Sequence, residues 1–232
     1  MATGAEGQTD HRERLLDAAL PHVAFDGWSA ATLAAACQDA GIAPGLAHVI
    51  CPRGALDLAV AYHRRGDRTM GAALAATDLG ALRYRDRVAR AVRLRLETCE
   101  RDLVRRGAAL FALPQNLAGG GGLIWGTADA IWRALGDTSQ DLNWYSKRAT
   151  LSAVYSATVL YWLGDESEGQ HATWDFLDRR IEDVMRFEKT KADFRASALG
   201  KAMSGPMKIL GAIKAPAPLP ADLPGRDGRA EG

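Results

Sequence analysis

The chain has little cysteine, no excess of charge and no long apolar run, and each shortage argues against a class of protein. Its three cysteines, Cys37, Cys51 and Cys99, are odd in number and lack C-x-x-C spacing. That argues against a disulfide framework or a structural zinc site and points to a reducing, cytoplasm-like compartment. Lys plus Arg number 29 against 28 Asp plus Glu, so no field of one sign draws the whole molecule to nucleic acid or to an anionic membrane. Any such attraction must be local. No stretch approaches the roughly 18 apolar residues of a bilayer span. The opening MATGAEGQTDHRE has neither an apolar core nor an Arg-rich, acid-free pattern, so it is not expected to act as a targeting leader. Convincing two-residue alternation is lacking as well, and the expected fold class is all-α.

What is present is helical punctuation. At 232 residues and 47% hydrophobic, the chain suffices for one domain with appendages. Residues 1–9 are expected to be disordered. Asp10 with Glu13 reads as a capping box opening a helix whose buried stripe is Leu16, Ala19, Leu20 and Val23. Gly27 ends it, Ser29 caps a second helix, Gly41 turns the chain and Pro44 opens a third. Residues 54–75 read as a further helix. Residues 86–106 read as one long helix, with Val88, Val92, Leu96, Cys99 and Leu103 on one face and arginines opposite. Gly119 to Gly122 reads as a connector, after which Ile124, Ala128, Ile131 and Leu135 resume helical spacing. Asp141 caps a helix that is apolar all round from Leu151 to Leu163 and is therefore expected to be central. Ser167 with Gln170 reads as another capping box, before a last body helix through Trp174, Leu177, Ile181 and Val184 to about Phe187. The body thus spans 10–188, and a Pro-rich disordered tail covers 215–232.

Few residues point to chemistry. Glu168-x-x-His171 has the spacing of half a carboxylate-bridged di-metal site but occurs once, so no metal or cofactor is expected. The glycine run lacks a following Gly-Lys-Ser/Thr, and no Gly-x-Ser-x-Gly elbow exists. The expectation is a protein that is not an enzyme. The three short N-terminal helices have helix-turn-helix spacing, yet the would-be recognition helix, Ala43 to Ile50, offers only His48 to a base edge. That favours a degenerate motif kept as packing, with no nucleic-acid partner.

Residues 189–214 are where charge gathers: Lys189, Lys191, Arg195, Lys201, Lys208 and Lys214 face only Asp193. Among them lie Phe194, Leu199, Met203, Ile209, Leu210 and Ile213. A basic amphipathic helix of this kind, with Lys201 and Lys208 reaching headgroups, is expected to touch a membrane surface, divided at Gly205-Pro206. Aromatics gather over 125–162, as Trp125, Trp132, Trp144, Tyr145, Tyr155, Tyr161 and Trp162. Some are expected to line a cavity, and Trp144 and Tyr145 to anchor a partner.

With RERLLDAALPHVAFDGWSAATLAAACQDAGI near the start, LPQNL, IWRALGDTSQDLNWYSKRATLSAVYSAT and TWDFLDRRIEDVM, the chain resembles the lipid-binding accessory protein family of ubiquinone (coenzyme Q) biosynthesis. The most specific pattern is Gly-Asp-x-Ser-x-Asp-x-Asn-Trp-Tyr-x-x-Arg at Gly136 to Arg148. The resemblance implies a TetR-like helical bundle, a homodimer, an apolar pocket for an isoprenoid lipid, quinone intermediate or phospholipid, and no catalysis of its own. It also implies a C-terminal amphipathic helix that meets the membrane. The pocket is expected at Tyr155, Val159, Trp162 and Trp125. The implied partner is the di-iron demethoxyubiquinone hydroxylase, which would dock on Asp129, Ile131, Trp144, Tyr145 and Arg148. Together with the opening sequence, this implies a bacterial member in the cytoplasm, peripherally bound to the inner membrane. The competing expectation is a ligand-responsive transcription regulator of the TetR type.

Overall fold

The computed structural model describes the backbone of residues 2–196 and 214–216, with side chains from 7 to 187 and at 214–216. Among the described residues there are nine α-helices and no strand. Helix α1 (Ala2–Asp26) begins well before the expected start: residues 2–9 are helical rather than disordered, and Asp10 lies inside the helix instead of capping it. Its Leu15, Leu16, Ala19 and Val23 are buried. At Gly27, φ is 65° and the N–H closes on Val23 O at 2.9 Å, ending α1 in the left-handed conformation.

The Ser29 hydroxyl accepts from Thr32 N at 3.2 Å and starts α2 (Ala30–Ala40). Gly41 turns the chain and Pro44 opens α3 (Pro44–Ile50). These helices pack with α1 and the start of α4 (Ala55–Ala75) around one apolar core that includes Trp28, Ile42, Ile50, Leu58 and Leu103. The outward face of α3 presents Leu46, His48 and Val49, so the only polar side chain on it is His48.

The expected helix over 86–106 is two, α5 (Tyr84–Glu97) and α6 (Arg101–Phe111). No Gly or Pro marks the break. Instead the Thr98 hydroxyl donates to Arg95 O at 3.1 Å, Cys99 N bonds three residues back to Leu96 O at 3.0 Å, and Glu100 N donates to the Tyr62 hydroxyl at 3.0 Å. Side chains have taken over the ladder.

The glycine run is not a connector. It forms the first turns of α7 (Leu117–Ala134). A Cβ at Gly120 would stand 2.9 Å from Phe111 Cβ, so glycine there lets α7 start directly against the end of α6. Helix α8 (Leu142–Gly164) begins as expected, with Asp141 Oδ1 accepting from Asn143 N at 2.9 Å. It is not buried all round: Arg148, Leu151, Tyr155, Thr158 and Trp162 face inward, whereas Leu160 and Tyr161 face out.

A short 3-10 helix, Glu168–Gln170, leads into α9 (His171–Ala196). The expected capping box is replaced. Asp165 accepts from Ser167 N at 2.8 Å and Thr173 N at 2.9 Å, while Gln170 accepts from the Trp162 indole at 2.6 Å. The α9 backbone runs past Phe187 unbroken to Ala196, so residues 189–196, Phe194 among them, extend the body helix. A second core joins α4, α5, α7, α8 and α9 through Met70, Val92, Ile131, Tyr155 and Leu177. Of the expected membrane contacts, Leu199, Lys201, Met203, Lys208, Ile209, Leu210 and Ile213 lie outside the described residues.

Candidate functional site: an apolar cavity and an aromatic surface

Helices α4 to α8 enclose a cavity of about 440 Å³, a volume suited to a ligand of drug size. Each helix supplies one or two turns. Leu96, Leu103, Val104, Phe111, Leu123, Ile124, Val159 and Leu160 are among its apolar lining. Of the expected lining residues, Tyr155 and Val159 face this space and Trp162 and Trp125 do not. Trp162 is held by Gln170 and lies under the Arg101 guanidinium at 5.3 Å, closing the end of α8. Trp125 belongs with Trp144, ring centroids 6.0 Å apart.

One end of the cavity is polar, a feature that the sequence motifs do not announce. Arg95 is 2% exposed. It donates from Nε to Asp67 Oδ1 at 2.7 Å, from one Nη to Cys99 Sγ at 2.6 Å and from the other to His63 O at 2.9 Å. Thr127 Oγ1 donates to the same Asp67 oxygen at 2.8 Å, which makes His63 Nε2 the donor toward Thr127 Oγ1, also at 2.8 Å. Burial, reinforced by the Arg95 charge, pushes His63 down to about 4, and burial pushes Tyr155 and Tyr62 up to about 12. At neutral pH this end therefore holds one buried ion pair, a neutral imidazole and two neutral phenols. A signal for it existed: Arg95 lies three residues after Val92 and four before Cys99, on the apolar stripe of α5. A cation there must be paired.

The second feature lies at the other end of α8. Arg148, 1% exposed, donates to Asp129 Oδ1 at 2.7 Å, to Asp137 Oδ2 at 3.2 Å and to Trp144 O at 3.1 Å. Its guanidinium stands 4.0 Å from the Trp144 ring centre. Asp137 also accepts from Lys147 at 2.7 Å and Ser139 at 2.8 Å. Burial alone would raise its pKa, but these donors and Arg148 outweigh burial and hold the carboxyl down to about 2. The buried network thus fixes the half-exposed indole from behind. Tyr145 meets Trp144 edge-on at 4.8 Å. The expected docking residues are therefore divided. Asp129, Trp144 and Tyr145 share a surface, Arg148 is buried beneath it, and Ile131 is fully buried in the core.

Lys214 to Pro216 return to this surface. Ala215 N donates to Gln140 O at 3.0 Å and the Tyr145 hydroxyl donates to Lys214 O at 3.2 Å. The expected disordered tail thus begins, at residues 215 and 216, with a docked segment. Among the described residues no group of His, Cys, Asp and Glu gathers to hold a metal ion, and His171 turns Nδ1 to Glu168 O at 3.0 Å.

The COQ9 family pattern matches residues 119–188, the stretch that carries α7, α8 and the aromatic surface. That segment is similar to the COQ9 family. Across a longer span the chain is 29% identical over 201 residues to the ubiquinone biosynthesis protein COQ9, mitochondrial, of Rattus norvegicus, covering 83% of this chain and 64% of that protein. It is 30% identical over 183 residues to the Drosophila melanogaster protein of the same name, covering 76% and 56%. It is 28% identical over 188 residues to the probable ubiquinone biosynthesis protein coq9, mitochondrial, of Dictyostelium discoideum, covering 78% and 61%. The chain thus spans less than two thirds of the length of these relatives.

A solved TetR transcriptional regulator from Nitrosomonas europaea superposes with a TM-score of 0.61 at 19% identity, covering 75% of this chain and 97% of that one. The fold is TetR-like. Within it, the segment that matches the COQ9 pattern contributes Thr127, Asp129, Trp144, Tyr145, Arg148, Tyr155 and Val159, whereas Tyr62, His63, Asp67 and Arg95 come from helices α4 and α5 before it and Cys99 from the break between α5 and α6.

Proposed function

We propose that this protein is a non-enzymatic accessory protein of ubiquinone biosynthesis. It holds an isoprenoid lipid, a quinone intermediate or a phospholipid in the α4–α8 cavity and presents it to the di-iron demethoxyubiquinone hydroxylase. The cavity carries the proposal: a mostly apolar space closed at one end by the neutral His63 and Tyr155 and the paired Arg95 suits a molecule with a long apolar body and an oxygenated end. The hydroxylase would meet Asp129, Trp144 and Tyr145, the indole acting as anchor and the Arg148 network keeping it in place.

The protein would act as a homodimer, at the inner membrane of a bacterial cytoplasm, with residues 189–214 as the basic foot. Among the described residues no helix is long and apolar enough to cross a membrane, which agrees with peripheral attachment. Trp28 lines the cavity, so titration with a prenylated quinone should saturate and quench tryptophan fluorescence. A Val159→Trp variant, with the cavity filled, should show no saturable phase. Equal saturation in both proteins counts against the cavity as the site.

A transcription regulator of the TetR type is the second reading, supported by the α2–turn–α3 arrangement. The outward face of α3 argues against it, since Leu46 and Val49 offer no hydrogen bond to a base and neutralise no phosphate. Selection of duplexes from a random pool tests it; enrichment of a sequence would favour regulation over lipid presentation.

A further inference from the structure

The cavity reaches the surface between the α6–α7 corner and α8. Leu117 and Leu160 line it and are also 62% and 68% exposed, and Leu113, in the turn that leads from α6 to α7, is 43% exposed. Gly121 lines the cavity and is exposed on the same rim. The corner lies within the longest uncharged stretch of the chain: residues 107–128 contain no Asp, Glu, Lys, Arg or His. Its position is firm, because Phe111 rests on Gly120 and Asn116 Nδ2 donates to Leu110 O at 3.0 Å. A fixed, uncharged corner with exposed leucines around the mouth of an apolar cavity is out of place against water.

We infer that the rim formed by Leu113 and Leu117 on the corner and Leu160 on α8 is the portal of the cavity and seats directly in the apolar part of a lipid surface. An apolar ligand can then pass between bilayer and cavity without crossing water. The occupant is a lipid surface, because the cavity continues through the leucine rim and the rim carries no charge. This contact is distinct from the one proposed for residues 189–214, which needs anionic headgroups and weakens with salt. The portal should seat in neutral lipid and hold in high salt. The inference rests on the reading of the cavity as a ligand site, so its test separates entry from capacity.

Leu113→Cys in the full chain, labelled with nitrobenzoxadiazole, reports the polarity at the corner, referenced to the parent protein carried through the same labelling. Thr138→Cys, in the turn before α8, is the control. With vesicles of phosphatidylcholine alone, at low and at high salt, the label at 113 should shift to the blue and brighten, and the label at 138 should not. Leu113→Asp should weaken partition to these vesicles roughly tenfold. It should slow uptake of a dansyl-labelled farnesyl probe presented in vesicles, with equilibrium loading of the same probe added in solution unchanged. A label at 113 that ignores neutral vesicles, or responds only to anionic ones at low salt, overturns the portal. A blue shift without vesicles that grows with protein concentration assigns the corner to a second copy, and one independent of concentration assigns it to another segment of the same chain; either overturns the portal. A protein that loads the probe by neither route overturns the cavity reading together with the portal.

Discussion

The Arg95 guanidinium lies flat over Gly66: a Cβ at residue 66 would stand 2.5 Å from one terminal nitrogen of Arg95 and 2.6 Å from its central carbon. The contact explains a glycine in the interior of α4, where alanine would favour the helix by about 1 kcal/mol. Gly66→Ala should force Arg95 off Asp67 and His63 O and leave charges buried without partners. The expected loss is about 3 kcal/mol of stability, measured as a lower midpoint in urea with the slope unchanged.

Two glycines of the run should respond with opposite signs. Gly120→Ala meets Phe111, whereas a Cβ at Gly122 meets nothing within 4 Å. Gly122→Ala should raise stability by about 0.5–1 kcal/mol through helix propensity alone. Gly120→Ala should lower it by about 1–3 kcal/mol as an overpacking change. Thermal midpoints of the two variants check this.

Stability should fall on mild acidification because of His63. Its pKa is lowered in the folded protein to about 4 from 6.5, so the unfolded chain takes up a proton first. The contribution is complete above about pH 6.5 and is lost as pH drops toward 4, by up to about 3 kcal/mol. His63→Gln should flatten the stability profile between those values, followed by urea unfolding at a series of pH values.

Trp144→Ala should separate partner binding from folding. The indole is half-exposed and held by Arg148 from beneath, so its removal should cost the fold about 1 kcal/mol or less while weakening association with the hydroxylase about tenfold or more. Calorimetry of the pair and a urea titration of the variant give the two numbers.

Local signals were legible where a side chain or a glycine acts on its own neighbours. Gly27, Ser29, Gly41, Pro44 and Asp141 each stop or start a helix as their chemistry requires. The misreadings arise where a distant residue decides. The helix breaks at Thr98 to Glu100 because Tyr62, far back in the chain, accepts an N–H there. The glycines of α7 stay helical, and Gly120 does so packed on Phe111. Asp165 displaces the Ser167–Gln170 box because Gln170 is taken by Trp162. Half of the cavity wall comes from α4, α5 and α6, which no aromatic cluster advertised, and only the misplaced charge of Arg95 marked it. Ile131 entered the docking surface only through the resemblance; its own apolar spacing with Ile124, Ala128 and Leu135 fits the burial that the structure shows.

The claim on which all of this depends is that the cavity holds a lipid. Native mass spectrometry of protein purified without detergent, followed by extraction, tests it most directly. The account predicts close to one lipid per chain with a long apolar body, present in the parent protein and absent from Val159→Trp. A parent protein that is well folded and empty, or a lipid retained equally by Val159→Trp, would contradict it.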